Sequence, residues 1–183
     1  MSDFIMLSLV RPSIAHATSY LDSIEEMRAL GETIWEGWCP RSSESIAEFI
    51  ERVRGAAVVP ESPLVPMSTF WALHDDENIV GRIALRHHLT PSLKDYGGHV
   101  GYEVRPSYRR RGIGREMLRQ LLRLPKAHAI GTLLVTCAPD NLASIKVIEA
   151  NGGRLLRCAV SKTHGRNTLY YAIDPIKPGA ASH

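Results

Sequence analysis

Gly101-Tyr102-Glu103-Val104-Arg105-Pro106-Ser107-Tyr108-Arg109-Arg110-Arg111-Gly112-Ile113-Gly114-Arg115-Glu116-Met117-Leu118 is the stretch whose reading decides the fold. A strand-like segment runs through an arginine-rich, glycine-punctuated turn into an amphipathic helix. Beyond Gly114, Met117, Leu118, Leu121 and Leu122 recur at helical spacing, and Arg115, Glu116, Arg119, Gln120 and Arg123 take the opposite face, so one side of a helix packs on a core. Pro125 is expected to end it. Gly112 and Gly114 let backbone approach a ligand without an intervening Cβ, and the first-turn N–H groups of the helix point into that space. With the positive end of the helix dipole and arginines at 109, 110, 111 and 115, the place suits a phosphate or pyrophosphate. It is neither a Walker-type loop nor a dinucleotide fingerprint, because the third position after Gly114 is Met117.

Outward from this turn, residues 99–104 form the feeding strand. With period two, Val100, Tyr102 and Val104 share one face and His99, Gly101 and Glu103 the other. Upstream, residues 68–74 and 79–86 read as an antiparallel hairpin around the polar turn 75–78, and a loop through Pro91, Lys94 and Asp95 follows. Downstream, residues 131–138 are an apolar run suited to a strand covered on both faces. Pro139-Asp140-Asn141 breaks that run. Asp140 or Asn141 can cap a helix with Leu142, Ile145 and Ile148 facing inward, which Asn151-Gly152-Gly153 ends. Residues 155–160 and 168–173 are a final strand pair.

The N-terminal third reads as a short strand at 7–11, a helix over about 14–30, and a second helix over 43–54 capped by Ser42 or Ser43, with Ile46, Phe49, Ile50 and Val53 on one face. Prolines at 60, 63 and 66 make an extended linker of 59–66. We expect one domain over 1–174, with a helical elaboration at 13–58 and a loose tail at 175–183.

The chain has 183 residues, 44% hydrophobic and 22% charged, with net charge +3, which suits a globular domain. The arginines cluster at 105–115, a distribution that favours a local anionic ligand over nucleic acid. Cys39, Cys137 and Cys158 are odd in number and widely spaced. They therefore read as reduced thiols of a cytoplasmic protein, with neither disulfide framework nor metal site. No apolar run reaches the ~20 residues of a membrane span.

Arg109-x-x-Gly112-x-Gly114 resembles the acetyl-coenzyme A signature, [Gln/Arg]-x-x-Gly-x-[Gly/Ala], of the GNAT family of N-acetyltransferases. The segment Asn141-Leu142-Ala143-Ser144, followed by a helix and Gly152-Gly153, resembles that family's second cofactor segment. Together they cover roughly residues 68–173. The resemblance implies an α/β (α+β) fold whose central mixed, mostly antiparallel sheet is splayed at two parallel strands, here 99–104 and 133–138, and flanked by helices. It implies acetyl-CoA as co-substrate and no metal. The pyrophosphate would lie on backbone from Arg110 through Arg111, Gly112, Ile113 and Gly114 to Arg115, with Arg109 in the signature. Val104 would bind the pantetheine arm through its main chain, Asn141 and Ser144 would flank it, and Lys146 would lie near the cofactor.

The implied reaction is direct acetyl transfer to a primary amine of a small molecule, peptide or protein, and the alternative is a coenzyme A-binding module without catalysis. A neutral amine must attack the thioester, which calls for a base and for oxyanion stabilisation. Glu103 is the first candidate base and His99 the second. The family's tyrosine acid has no counterpart between Asn141 and Gly153, which leaves Tyr170, Tyr171 or solvent to protonate the thiolate. Cys137 has no neighbour in sequence to activate it and reads as a small apolar residue. Glu25, Glu26, Trp35, Glu36 and Trp38 are candidates for the acceptor side, and the acids lean toward a cationic acceptor. The partners expected are acetyl-CoA and an amine, with no nucleic acid or membrane, and open sheet edges leave a homodimer open.

Overall fold

The computed structural model describes residues 6–58 and 64–177. Strand β1 (Leu7–Val10) leads through a single 3-10 turn (Ile14–His16) into helix α1 (Ala17–Ala29), whose Tyr20, Ile24 and Met27 form a buried stripe at spacings of four and three. Helix α2 (Ile46–Gly55) begins one turn later than expected. Its cap is Ser45, not Ser42 or Ser43, because only Ser45 has Glu48 three residues on to complete a capping box. Phe49, Ile50 and Val53 are buried as the periodicity requires.

Strands β2 (Met67–His74) and β3 (Asn78–Arg86) form the expected hairpin. The following segment holds a short helix α3 (Pro91–Asp95), where a loop was expected. Thr90 caps it by accepting from the Leu93 N–H, and Pro91 occupies the first helical position, which needs no donor. Strand β4 (Val100–Val104) then leads into helix α4 (Ile113–Leu121). Pro125 does not terminate α4, which ends at Leu121; it opens helix α5 (Pro125–Ile130) from the same first-turn position. Strand β5 (Leu133–Cys137), helix α6 (Leu142–Glu149), and strands β6 (Arg154–Val160) and β7 (Asn167–Ile173) complete the chain.

The ladders are antiparallel and make two sheets, ordered β1-β2-β3-β4 and β5-β7-β6. These flank a gap. The expected parallel pair, β4 and β5, shares no ladder among the described residues. It is joined at its closed end, where the His99 N–H donates to the Leu134 carbonyl (2.7 Å) and the Leu134 N–H donates to His99 Nδ1 (2.8 Å).

Two apolar clusters sandwich the first sheet. On one face Ala72, Ile83 and Leu85 pack with Met117, Leu118 and Leu121 of α4 and Ile148 of α6; on the other, Trp71 and Leu73 pack with α1 and α2. Trp71 and Ala72 fall on opposite sides because strand side chains alternate. Each fully buried side chain such as Leu118 contributes ~1.5–3 kcal/mol by leaving water. Leu142, expected inward, is 65% exposed, and of its helix only Ile148 is fully buried.

Residues 59–63 of the proline-rich linker and 178–183 of the tail lie outside the described residues. The start of the tail is tied down: the Ile176 N–H donates to the Leu122 carbonyl, and the Ile176 carbonyl bonds His128 Nε2 at 2.9 Å. No described helix is long and apolar enough to cross a membrane.

Candidate functional site

From β4 the chain passes through a 3-10 turn (Pro106–Tyr108) and then through Arg110 and Gly112, at φ of 62° and 80°. Gly112 is the left-handed residue that caps α4, a conformation costing a side-chain-bearing residue roughly 1–2 kcal/mol. The first α-helical bond of α4 is donated by Glu116 to the Gly112 carbonyl. The amides of Ile113, Gly114 and Arg115 therefore precede it and face outward from the positive end of the helix. Gly114 serves close packing as well. A Cβ there would lie 3.1 Å from Val147 Cγ2 and 3.6 Å from Val104 Cγ2, so glycine lets the start of α4 settle against α6 and β4.

These amides open into a cleft of about 1080 Å³ that follows the gap between β4 and β5. Of the residues expected at the cofactor, Val104, Arg109, Arg110, Gly112, Ile113, Gly114, Arg115, Asn141, Ser144 and Lys146 all line it. Asn141 caps α6 by accepting from the Ser144 N–H at 3.0 Å, which fixes both residues at the rim. Arg111 does not line the cleft; its guanidinium lies over the Tyr108 ring at 5.3 Å. Arg109 lines it but is also engaged. Its Nε donates to the Val104 carbonyl at 3.0 Å, the group expected to receive the pantetheine arm, and its two Nη atoms fork onto Glu32 at 2.6 Å each.

Glu103 lines the cleft, on the strand face expected. Arg82 of β3, its cross-strand neighbour, grips its Oε2 through Nε at 3.0 Å and again through Nη2. Arg82 is itself buried, donates to the Tyr20 hydroxyl at 3.0 Å, and lies over the Trp38 ring at 5.0 Å. The Tyr20 hydroxyl donates in turn to the Trp38 carbonyl at 2.7 Å, and burial pushes it up to about 12. The second carboxylate oxygen of Glu103, Oε1, accepts no hydrogen bond within the protein among the described residues.

The N-terminal acids are not an open negative surface. Glu25 pairs with Arg28, Glu26 with Arg105 and Glu32 with Arg109. Burial alone would raise the Glu26 carboxyl, but hydrogen bonds from Arg105 and Ser107 more than offset it; the Arg109 fork lowers Glu32. The lean toward a cationic acceptor is weakened, since Glu25 and Glu26 are paired with arginines; Glu36, also expected on that side, is exposed.

Tyr170, expected as an acid, is 1% exposed, donates to the Asp95 carbonyl at 2.7 Å, and is not among the residues lining the cleft. Tyr171 is tied to Glu149 at 3.0 Å. His99 is committed to the β4–β5 junction through Nδ1, and burial lowers its imidazole below the ordinary value. Cys137 lines the cleft, with its thiol pushed up by burial, as suits an unactivated cysteine.

Two cleft residues carried no sequence expectation of chemistry. Tyr102 reaches across the gap to Ser144, hydroxyl to hydroxyl at 2.7 Å, and burial pushes its phenol up to about 12. Period-two alternation places Tyr102 on the face away from Glu103, and nothing local signals that this face meets α6. Arg86, at the end of β3, lines the far end of the cleft with Tyr96 and Gly97.

A family model described as an acetyltransferase (GNAT) domain matches residues 7–154. Comparison with curated protein sequences finds no match. Among solved structures, RimL, described as a ribosomal L7/L12 alpha-N-protein acetyltransferase in complex with coenzyme A, is 17% identical. It covers 95% of this chain and 96% of its own, with a TM-score of 0.66. RimJ of Mycobacterium smegmatis, in complex with CoA-disulfide, is 18% identical over 92% of this chain and 81% of its own, with a TM-score of 0.64. The microcin C7 self-immunity acetyltransferase MccE, in complex with acetyl-CoA and AMP, is 14% identical over 92% of both chains, with a TM-score of 0.61. At these identities the likeness is one of fold.

Proposed function

The chain belongs to the GNAT acetyltransferase family, and from that premise we propose that it transfers the acetyl group of acetyl-CoA directly to a primary amine within a ternary complex. The observation that carries this reading is one continuous cleft with unpaired helix-start amides at one end and Glu103, with an open carboxylate oxygen, lining it. Amides of Ile113, Gly114 and Arg115, with Arg110 beside them, take the pyrophosphate. The pantetheine arm runs past Val104 toward Asn141 and Ser144, and Arg109 gives up the Val104 carbonyl to it.

The neutral amine attacks the thioester carbonyl, a C–N bond forms, and the C–S bond breaks with its electron pair going to sulfur. The proton lost from nitrogen passes, directly or through one water, to Oε1 of Glu103, while Arg82 fixes the carboxylate through Oε2. Tyr102 and Ser144 are the hydroxyl pair beside the departing sulfur. A phenol held near 12 stays protonated, so it donates a hydrogen bond to the thiolate, and solvent supplies the final proton.

Calorimetry with acetyl-CoA and a thiol-release assay over a panel of amines test the reading together. Saturable binding and amine-dependent thiol release are expected. Glu103→Gln should lower kcat by about a hundredfold or more with acetyl-CoA affinity unchanged. Binding without turnover on any amine would instead select the coenzyme A-binding module without catalysis.

A further inference from the structure

Arg82 and Arg86 lie on the same face of β3, since they are four residues apart in a strand whose register across Arg82↔Glu103 and Ala84↔Gly101 is unbroken. Arg86 therefore faces the side of the sheet that carries Glu103, about 13 Å along it at ~3.3 Å per residue. It is partly buried and lines the same cleft. Its Nη1 donates to the carbonyls of Gly97 (3.2 Å) and Gly98 (3.0 Å). A guanidinium has five N–H donors. Those on Nε and Nη2 have no protein acceptor among the described residues, and no carboxylate pairs with Arg86.

The surrounding charge sharpens the contrast. Arg82, Arg105 and Arg109, the other arginines around the cleft that reach toward the N-terminal lobe, each hold a glutamate. Asp95, which ends the short helix α3 just before Gly97, is spent on Ser161 Oγ and the Thr163 N–H. The ring of His99, on the neighbouring strand segment, feels both Arg86 and Lys94 as positive charges. Burial lowers the pKa of Arg86 with no acid opposing it.

We propose that the acceptor amine carries an anionic group, a carboxylate or phosphate, which Arg86 receives through Nε and Nη2 at the end of the cleft remote from the cofactor loop. The inference rests on the acetyl-transfer reading above and assigns its acceptor class. The free edge of the guanidinium matches the two oxygens of a carboxylate or phosphate. Trp38 packs against Gly101 and Ala84 between the two residues, so the chain joining amine to anion has to pass along the cleft beside it.

The test compares Ser-Glu-Ala-Ala-amide with Ser-Gln-Ala-Ala-amide, and 6-aminohexanoate with 6-aminohexanamide, by calorimetry on the intact chain saturated with coenzyme A. The first pair reports a peptide source of the anion and the second a small-molecule source. In at least one pair the anionic member should bind about tenfold or more tightly, with a preference that weakens as salt is raised. Arg86→Gln should abolish the preference and Arg86→Lys retain part of it, with acetyl-CoA affinity the same in all three proteins. Equal affinity within both pairs in the wild type, including no binding by either member, overturns the proposal, as does a preference that survives in Arg86→Gln. The wild-type comparison stands even if a variant does not fold. Anion-dependent binding without acetyl transfer would sink the enzymatic reading and leave the assignment of Arg86 intact.

Discussion

Arg82 and Arg86 share a strand, a face and a chemistry, yet they do opposite things. Arg82 is closed in: its donors go to Glu103 and Tyr20, and aromatic faces cover it. Arg86 is open, with only one nitrogen committed, to two backbone carbonyls. The counter-charge is what separates them: desolvation acts on both, but only Arg82 has a carboxylate against it. A guanidinium out of water needs every donor met, and a carboxylate to hold the charge; one at a cleft wall can leave donors to solvent or ligand.

The largest effect that would break this contrast is on stability. Arg82→Met leaves Glu103 and the Tyr20 hydroxyl without their cation and should cost about 3–5 kcal/mol in urea unfolding, whereas Arg86→Met should cost less than about 1 kcal/mol. Equal losses would mean that Arg86 is structural too. The two tyrosines give a smaller version of the same contrast. Tyr102→Phe, facing the cleft, should lower kcat about tenfold, and Tyr170→Phe should leave kcat unchanged while removing one hydrogen bond worth about 1 kcal/mol. Steady-state kinetics beside thermal unfolding would reveal a reversal.

The smallest expected effect is a pH slope from His99, a closed residue. Its folded pKa lies below 6.5 because burial disfavours the charged ring, so the unfolded chain takes up the proton first. The stability it contributes is complete above about 6.5 and is lost as pH falls toward the lower folded value. His99→Asn should flatten the change in urea midpoint between about pH 7.5 and about pH 5.5. An unaltered slope would remove His99 from the closed set.

How much was legible follows the same division. The geometry of the turn into α4 and of the α6 cap could be read because its requirements are local: a left-handed Gly112, a close-packed Gly114 and an Asn141 cap with its partner three residues away. The surroundings of Glu103 and the N-terminal helices could not, because they are assembled from pairs far apart in sequence. Arg82 meets Tyr20 across 62 positions, Arg109 meets Glu32 across 77, and Arg105 meets Glu26 across 79. No spacing rule announces such pairs, so Glu26, which read as free for a cation, turned out to be held by Arg105. The missed helices α3 and α5 have a different cause. Pro91 was read as part of a loop and Pro125 as the end of a helix, although proline fits the first turn of a helix as readily.

The gap between β4 and β5 has a thermodynamic consequence. Past the His99–Leu134 contact no ladder joins β4 to β5 among the described residues, so a ligand lying in the gap would supply a missing rung. Binding that requires the folded chain stabilises it by RT ln(1 + [L]/Kd), about 2.7 kcal/mol at a hundredfold excess over Kd. The melting temperature would then track the concentration of acetyl-CoA, and backbone amides of β4 and β5 would exchange hydrogen more slowly in the loaded protein. The co-substrate would set the lifetime of the fold as well as the rate of the reaction.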